Sequence, residues 1–469
     1  MALAAAAPAN AGHPGESASA SVVANTGSQN MELLANVPKS GTTNSDLAFW
    51  GNLIYAGNYN GFRIIDASNP GSPQVLSDYS CPGPQSDVAV WDTGRQRLLV
   101  TSIDSRQATE QCNSGPGNAT AGFEGLRIFD VTNPRSPRLI TGVQTDCGSH
   151  THTIVPSDKR SNGEYFTDPD SPSRLLVYVS SYPLGPGLHG DDSETAANSE
   201  CGVPDNPSGP HNVESIVEIP FSNPAGAEVI NQLELGPATI GCHDIGVHLG
   251  ADKAAAACLT EGQIWDISNP AEPVIEERIR NASVEIWHSG SFTWDARIAI
   301  FGDEESGATG PTHGCINATL PAAPGSIWFY DVESPGAPVE SFTQRRGQLG
   351  ELVCTAHNYN VIPGTRQELL TSAFYTAGTG MIDFSRPFDG VASPAEPVEI
   401  GHYDAAEGDG GNAANANTWS TYFYRGLAVA NDIDRGVDIL RYTGPETRNA
   451  TRLGHLNPQT QEDYIRPRR

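Results

Sequence analysis

Polar and apolar positions along this chain repeat a single frame, a polar pair leading into a short apolar or alternating run. The copies are 45–49 (SDLAF), 86–90 (SDVAV), 152–155 (HTIV), 243–247 (HDIGV), 288–292 (HSGSF), 357–361 (HNYNV) and 419–423 (WSTYF). Alternation with period two over so few residues predicts a strand. Each frame is followed by a second strand, as at 53–56 (LIYA) and 97–100 (RLLV). A third strand ends in an abrupt turn: 61–70 (GFRIIDASNP), 125–134 (GLRIFDVTNP), 264–270 (IWDISNP) and 327–335 (IWFYDVESP). The aspartate and the Asn-Pro or Ser-Pro pair stop that strand, because proline fixes its own φ and withholds a ladder donor. A fourth strand follows the proline, as at 73–76 (PQVL) and 338–341 (PVES).

Four short antiparallel strands cannot bury both faces of their own sheet, so such units must stack on one another. Stacking around an axis gives a β-propeller, in which sheet edges stay short and protected. Seven frames predict an all-β, seven-bladed β-propeller of four-stranded antiparallel blades over 31–445. Residues 1–30 are predicted to be a disordered leader or signal-peptide remnant, and 446–469 a C-terminal tail. Residues 31–37 (MELLANV) are expected to supply the outer strand of the last blade against 436–440 (GVDIL), with 453–456 (LGHL) as the competing segment.

At GLRIFDVTNP the chain resembles the LVIVD-repeat family of bacterial and archaeal surface or secreted propellers. The resemblance covers roughly 31–445 and is clearest in blades 1, 2, 4 and 5. Blade 3 reads IVEIPFSNP without the aspartate, and blade 6 carries MIDF followed by an inserted loop. The resemblance implies the fold and an extracytoplasmic setting. It implies no one reaction, because a fold does not fix a function.

Composition narrows the function classes. A formal charge of −28 over 469 residues excludes a positive footprint for nucleic acid or anionic membrane. No apolar run approaches the length of a membrane span. The 8 cysteines lack any CxxC spacing, which disfavours a thiolate zinc site and permits four disulfides. The order along the chain suggests Cys81–Cys112, Cys147–Cys201, Cys242–Cys258 and Cys315–Cys354. With Asn-Ala-Thr/Ser tripeptides at Asn118, Asn281, Asn317 and Asn449, a secreted or cell-surface location is expected.

Chemistry concentrates in one column of the repeat, which reads Ser45, Ser86, His152, His243, His288, His357, Trp419. The first strand of a blade lines the central channel, so equivalent positions form a ring. His152, His243, His288 and His357 are therefore the predicted metal ligands, and neutral imidazoles without thiolates suit iron, copper or zinc. His150 is a further candidate. Asp244, Glu285 and Glu304 are candidate acid–base residues. His189, His211 and His313 lie in Gly/Pro-rich loops and are expected to face solvent. Asp46, Asp87 and Asp244 either orient the imidazoles or point into blade packing.

Long inserted loops near 106–121, 157–173, 183–212, 303–323 and 404–418 are expected to roof one end of the channel. The reading that follows is a secreted, metal-dependent enzyme acting on a small molecule or glycan. Iron or copper implies an oxidoreductase, and zinc a lyase or hydrolase. The alternative is a non-catalytic extracellular propeller that binds protein or glycan.

Overall fold

The computed structural model describes residues 27–107, 109–112, 123–184, 211–304, 325–344, 354–385, 396–405 and 416–462. Among these residues seven sheets follow one another around an axis, four with four strands and three with five. Blade 1 comprises Asn44–Trp50, Leu53–Asn58, Gly61–Asp66 and Gln74–Ser80, and the later blades repeat that order. The first strands of neighbouring blades touch one another around the whole ring. The seven-bladed propeller is thus the fold of this chain.

The core explains why the blades stack. Buried apolar side chains fall into seven clusters, and each is shared by two adjacent blades. Between blades 1 and 2, Tyr55, Phe62 and Ile64 pack with Val90, Leu99 and Phe129. Between blades 4 and 5, Ala255 and Ile264 pack with Trp287, Phe292 and Phe301. Among the described residues no blade has a core of its own.

Arginines in the third strands of the first two blades tie connections to this framework. Arg63 donates to the carbonyls of Val37 and Pro38, and Arg127 to those of Cys81, Pro82 and Thr109. Both guanidinium groups are buried, which lowers their pKa to about 10.

The ring closes where the pattern predicts. Met31–Pro38 pairs antiparallel with Gly436–Tyr442, from Met31 opposite Tyr442 to Pro38 opposite Gly436. An early strand and three late ones thus share blade 7.

The competing segment goes elsewhere, across the channel at the ends of the first strands. His455–Leu456 pairs with Phe49 and Trp50 of blade 1. The Asn457 amide donates to the Val90 carbonyl and accepts from the Val90 N–H, both at 2.8–2.9 Å. Thr460 donates to Ile154 O of blade 3, and Thr460–Gln461 pairs in parallel with Val247 and His248 of blade 4. The Gln461 amide then holds both the N–H and the carbonyl of Phe292 in blade 5. Residues read from sequence as a tail therefore stitch five blades and close one end of the channel.

Carboxylates fill the interior between the blades. Asp46, Asp87 and Asp244 each accept the N–H of the next residue at 2.8–2.9 Å. Asp87 also accepts the His152 N–H, and Asp46 accepts from Tyr422 of blade 7 and Gln459 of the closing segment. These bonds run from blade to blade. Burial, followed by the charge of Asp87, pushes Asp244 up to about 8. Burial also works to raise Asp87, but the adjoining His152 holds its carboxyl below the usual range.

The disulfides Cys81–Cys112 and Cys242–Cys258 are formed as expected. The other two proposed pairs include Cys201 and Cys315, which lie outside the described residues.

Two tests of this architecture follow from its polar interior. Gln461→Ala leaves the Phe292 N–H and carbonyl without partners, which costs about 1–3 kcal/mol per unsatisfied buried group. Denaturant melts of that variant should show a lower midpoint with an unchanged slope. In blade 7, burial raises the Asp438 carboxyl to about 6 against the opposing pull of Arg435. A carboxyl whose folded-state value lies above its unfolded value of about 4 binds its proton more tightly in the native state. Its contribution is therefore full below about pH 4 and lost as pH rises through about 6. Relative to wild type, Asp438→Asn should gain thermal stability steadily between pH 4 and 7.

Candidate functional site

At the other end of the channel, where the first strands begin, the chain brings imidazoles together. Three of them arrive by the same backbone geometry. The His243 N–H donates to Ala257 O at 2.7 Å, the His357 N–H to Ala373 O at 3.0 Å, and the His150 N–H to Ser180 O at 2.8 Å. His288 enters through a bulge, because Trp287 pairs with Asp303 and Ser289 with Gly302, leaving His288 as the extra residue.

The four rings form a row. His150 Nε2 lies 2.9 Å from His243 Nε2. Ring centres are 3.9 Å apart for His243 and His288 and 4.3 Å for His288 and His357. Glu304, the residue after the second strand of blade 5, reaches over the row. Its Oε2 is 3.7 Å from His288 Nε2 and 3.9 Å from His243 Nε2, and its Oε1 is 3.8 Å from His357 Nε2. Donor atoms of His243, His288 and Glu304 all lie within 4.8 Å of one another.

The protonation pattern follows from the partners. His357 Nδ1 faces the Trp419 carbonyl, which can only accept, so Nδ1 carries the proton. His357 Nε2 is then a bare lone pair facing a carboxylate oxygen. His150 Nδ1 is 3.2 Å from Asp104 Oδ2, which directs its proton there and leaves the Nε2 lone pair toward His243.

Both nitrogens of His288 and Nδ1 of His243 are buried with no hydrogen-bond partner among the described residues. Burial pushes His243 and His288 well below the ordinary imidazole range, and the neighbouring imidazoles add to it. Burial lowers His357 as well, although Glu304 opposes it. The cluster is a set of neutral imidazoles that face one another and a carboxylate, with His243 Nε2 and His150 Nε2 within hydrogen-bond reach.

Aromatic and amide groups frame the row. The Tyr182 hydroxyl and the Gln85 amide each sit 3.2 Å from His150 Nε2. The Tyr375 hydroxyl donates to Glu304 Oε1 at 2.5 Å. Burial, then the negative charge of Glu304, holds both tyrosines well above the ordinary phenol range, so they act as neutral donors. Cys242–Cys258 joins the residue before His243 to the end of the neighbouring strand and so pins the His243 backbone.

The predicted residues divide clearly. His243, His288, His357 and Glu304 come together, and His150 joins them. His152 does not. Its Nδ1 lies 2.8 Å from Ser102 Oγ and 3.1 Å from Asp87 Oδ2, between blades 2 and 3. Asp244 follows His243, yet its carboxyl turns toward Thr151 and the Ile245 N–H. It borders a cavity of about 10 Å³ shared with Ser289, Asn358 and Gln459, between the histidines and the closing segment. Glu285 is exposed, and its backbone N–H donates to Asp303.

His211 corrects an expectation: it is completely buried rather than solvent-facing. Its Nε2 lies 3.1 Å from Ser181 Oγ and its Nδ1 3.6 Å from Asp146 Oδ2. Ser181 is equally buried, so this chain of contacts fixes the backbone next to Tyr182. His189 and His313 lie outside the described residues. Gln85 and Asp104 carried no signal of their own in the sequence.

The connections near 106–121, 183–212, 303–323 and 404–418 attach at the histidine end, because they join second to third strands or one blade to the next. The 157–173 connection attaches at the opposite end, where Tyr165–Thr167 adds a fifth strand to blade 3.

Residues 41–80 match the family model of the LVIVD repeat. No curated protein matches the chain. Solved structures similar to it include the Dos1 propeller, at 8% identity and a TM-score of 0.42, covering 83% of this chain and 75% of that one. Another is the computationally designed Ika8 protein, at 10% identity and a TM-score of 0.43, covering 87% of this chain and 98% of that one. The first blade, from the start of its first strand to the end of its fourth, therefore carries an LVIVD repeat.

Proposed function

We propose that the histidine row is a transition-metal centre and that the chain is a secreted metal-dependent enzyme. The observation that carries this reading is the meeting of acceptors. The bare Nε2 of His357 faces a carboxylate oxygen, and His288 has two buried nitrogens with no partner among the described residues. Burying polar atoms this way costs free energy unless something positive lies between them.

A proton is a poor candidate, because burial keeps these imidazoles neutral. A divalent cation held by His243, His288 and Glu304, with His150 and His357 flanking it on either side, satisfies the unpartnered nitrogens. Nitrogen and carboxylate donors without thiolate suit iron, copper or zinc. The outward N–H contacts of His150 with Asp104 and of His357 with Trp419 are the kind that orient ligating imidazoles.

Iron or copper bound here would supply oxidative chemistry toward a small organic substrate, and zinc an activated water for hydrolysis or elimination. The chain's own contribution is to hold the donors, exclude water through the closed end, and present neutral phenols at the mouth. Tyr182 and Tyr375 are half-buried, while the imidazoles beneath them are buried, so a substrate would approach past the phenols. A glycan fits that aromatic rim as well as another small molecule does. The disulfides favour an oxidising, extracytoplasmic compartment.

Elemental analysis of the purified protein tests the reading directly. Wild type is expected to carry close to one equivalent of iron, copper or zinc, and His243→Ala with His288→Ala to carry none. His150→Ala should lose metal too. His152→Ala should retain it while melting earlier, since that change strands Asp87 and Ser102. Absence of metal from wild type even after reconstitution would leave the row as blade packing. An extracellular binding propeller would then be the better account.

A further inference from the structure

Two residues beside the cluster hold backbone conformations that side chains rarely adopt. Gln85 has φ +69° and Tyr375 has φ +44°. Neither is a glycine, and the left-handed region disfavours a tyrosine. Strain of this kind persists only where the surroundings over-determine it, and it collects at functional positions. The two residues sit at opposite ends of the row, with Gln85 against His150 and Tyr375 against Glu304.

Tyr375 is fixed more completely. Its N–H donates to Thr418 O at 3.2 Å, and its carbonyl accepts from the N–H groups of Thr418 and Gly378, both at 2.9 Å. Thr418 precedes Trp419, whose carbonyl receives the His357 proton. The Tyr375 ring stands 4.7 Å from that of His357, and its hydroxyl ends on Glu304 Oε1. One strained residue thus touches the carboxylate and the last imidazole of the row together.

Glu304 needs such a hold. It lies just past the second strand of blade 5, and its backbone N–H donates to Ile286 O. Its side chain has three free torsions, and the histidine nitrogens stand 3.7–3.9 Å from its oxygens, too far to hydrogen-bond it into place.

We infer that Tyr375 is the positioning residue for Glu304. Its hydroxyl takes one lone pair of Oε1, which turns the carboxylate toward His243, His288 and His357 as a ligand. The inference rests on the metal-centre reading and deepens it. The strained backbone places the hydroxyl before any metal arrives, so no ordering remains to be done when the ion binds.

Cobalt(II) is the probe, added to the chelator-stripped full-length chain. Affinity is read by competition with a chromogenic chelator, and geometry by the visible d–d bands. Tyr375→Phe keeps the ring and the backbone, so the metal-free variant should melt with wild type. It should bind cobalt at least about 10-fold more weakly, with shifted bands, as loss of a group that orients a ligand does. Glu304→Gln should show a similar loss, and the double variant should be no weaker than Glu304→Gln alone.

Wild-type affinity and spectrum in Tyr375→Phe would overturn the inference while leaving the metal centre standing. So would losses that add in the double variant. A wild-type protein that takes up no cobalt would overturn the metal centre and the inference with it.

Discussion

The shape of this molecule depends on one constraint: a four-stranded sheet with two apolar faces has no way to bury both alone. Every buried cluster is accordingly an interface between two blades, and the last blade has to meet the first. Closure is made by one sheet that takes strands from early and late in the chain, with Met31–Pro38 completing the blade that Thr418–Tyr424 begins. Hydrophobic burial at roughly 25 cal/mol per Å² favours every interface equally, so the ring gains its full value only when closed.

Closure has a chemical consequence at the axis. First strands converge there, and each brings its opening residues toward the others. Polar groups gathered in that space lose water and must find partners among themselves. Lower in the channel they succeed: Asp46, Asp87 and Asp244 cap backbone N–H groups, and Asn457 and Gln461 use both ends of their amides as a strand's backbone would. At the mouth they succeed only in part, since both nitrogens of His288 have no partner among the described residues. Imidazole nitrogens there face each other and a carboxylate, whose oxygens stand 3.7–3.9 Å from three of them.

Much of the propeller was legible because the repeat carries its own stop signal, Asp-x-(Ser/Thr)-Asn-Pro. In Asp66, Asp130 and Asp266 the carboxylate accepts the N–H two residues on, which sets the turn. The histidine column was legible except in blade 3. There the sequence Ser-His-Thr-His-Thr offers two histidines two residues apart, and period-two alternation puts both on the same face. Only the bond to Ser180 O, equivalent to those of His243 and His357, identifies His150 as the member of the ring. Asp104 and Gln85 gave no signal because they approach from blade 2 through tertiary packing. The closing segment was obscure for another reason: its Asn-Pro-Gln-Thr-Gln run works through amides and has no apolar alternation to detect.

The channel's two ends are therefore complementary in their chemistry. Amides are neutral donors and acceptors at once, so the closing segment can satisfy strand ends without help and leaves a space with room for about one water between itself and the histidines. Imidazoles and a carboxylate offer many lone pairs, and with the imidazoles buried these raise the local demand for positive charge. The strained residues Gln85 and Tyr375 then fall where that demand is greatest, holding the acceptors in place against their own repulsion.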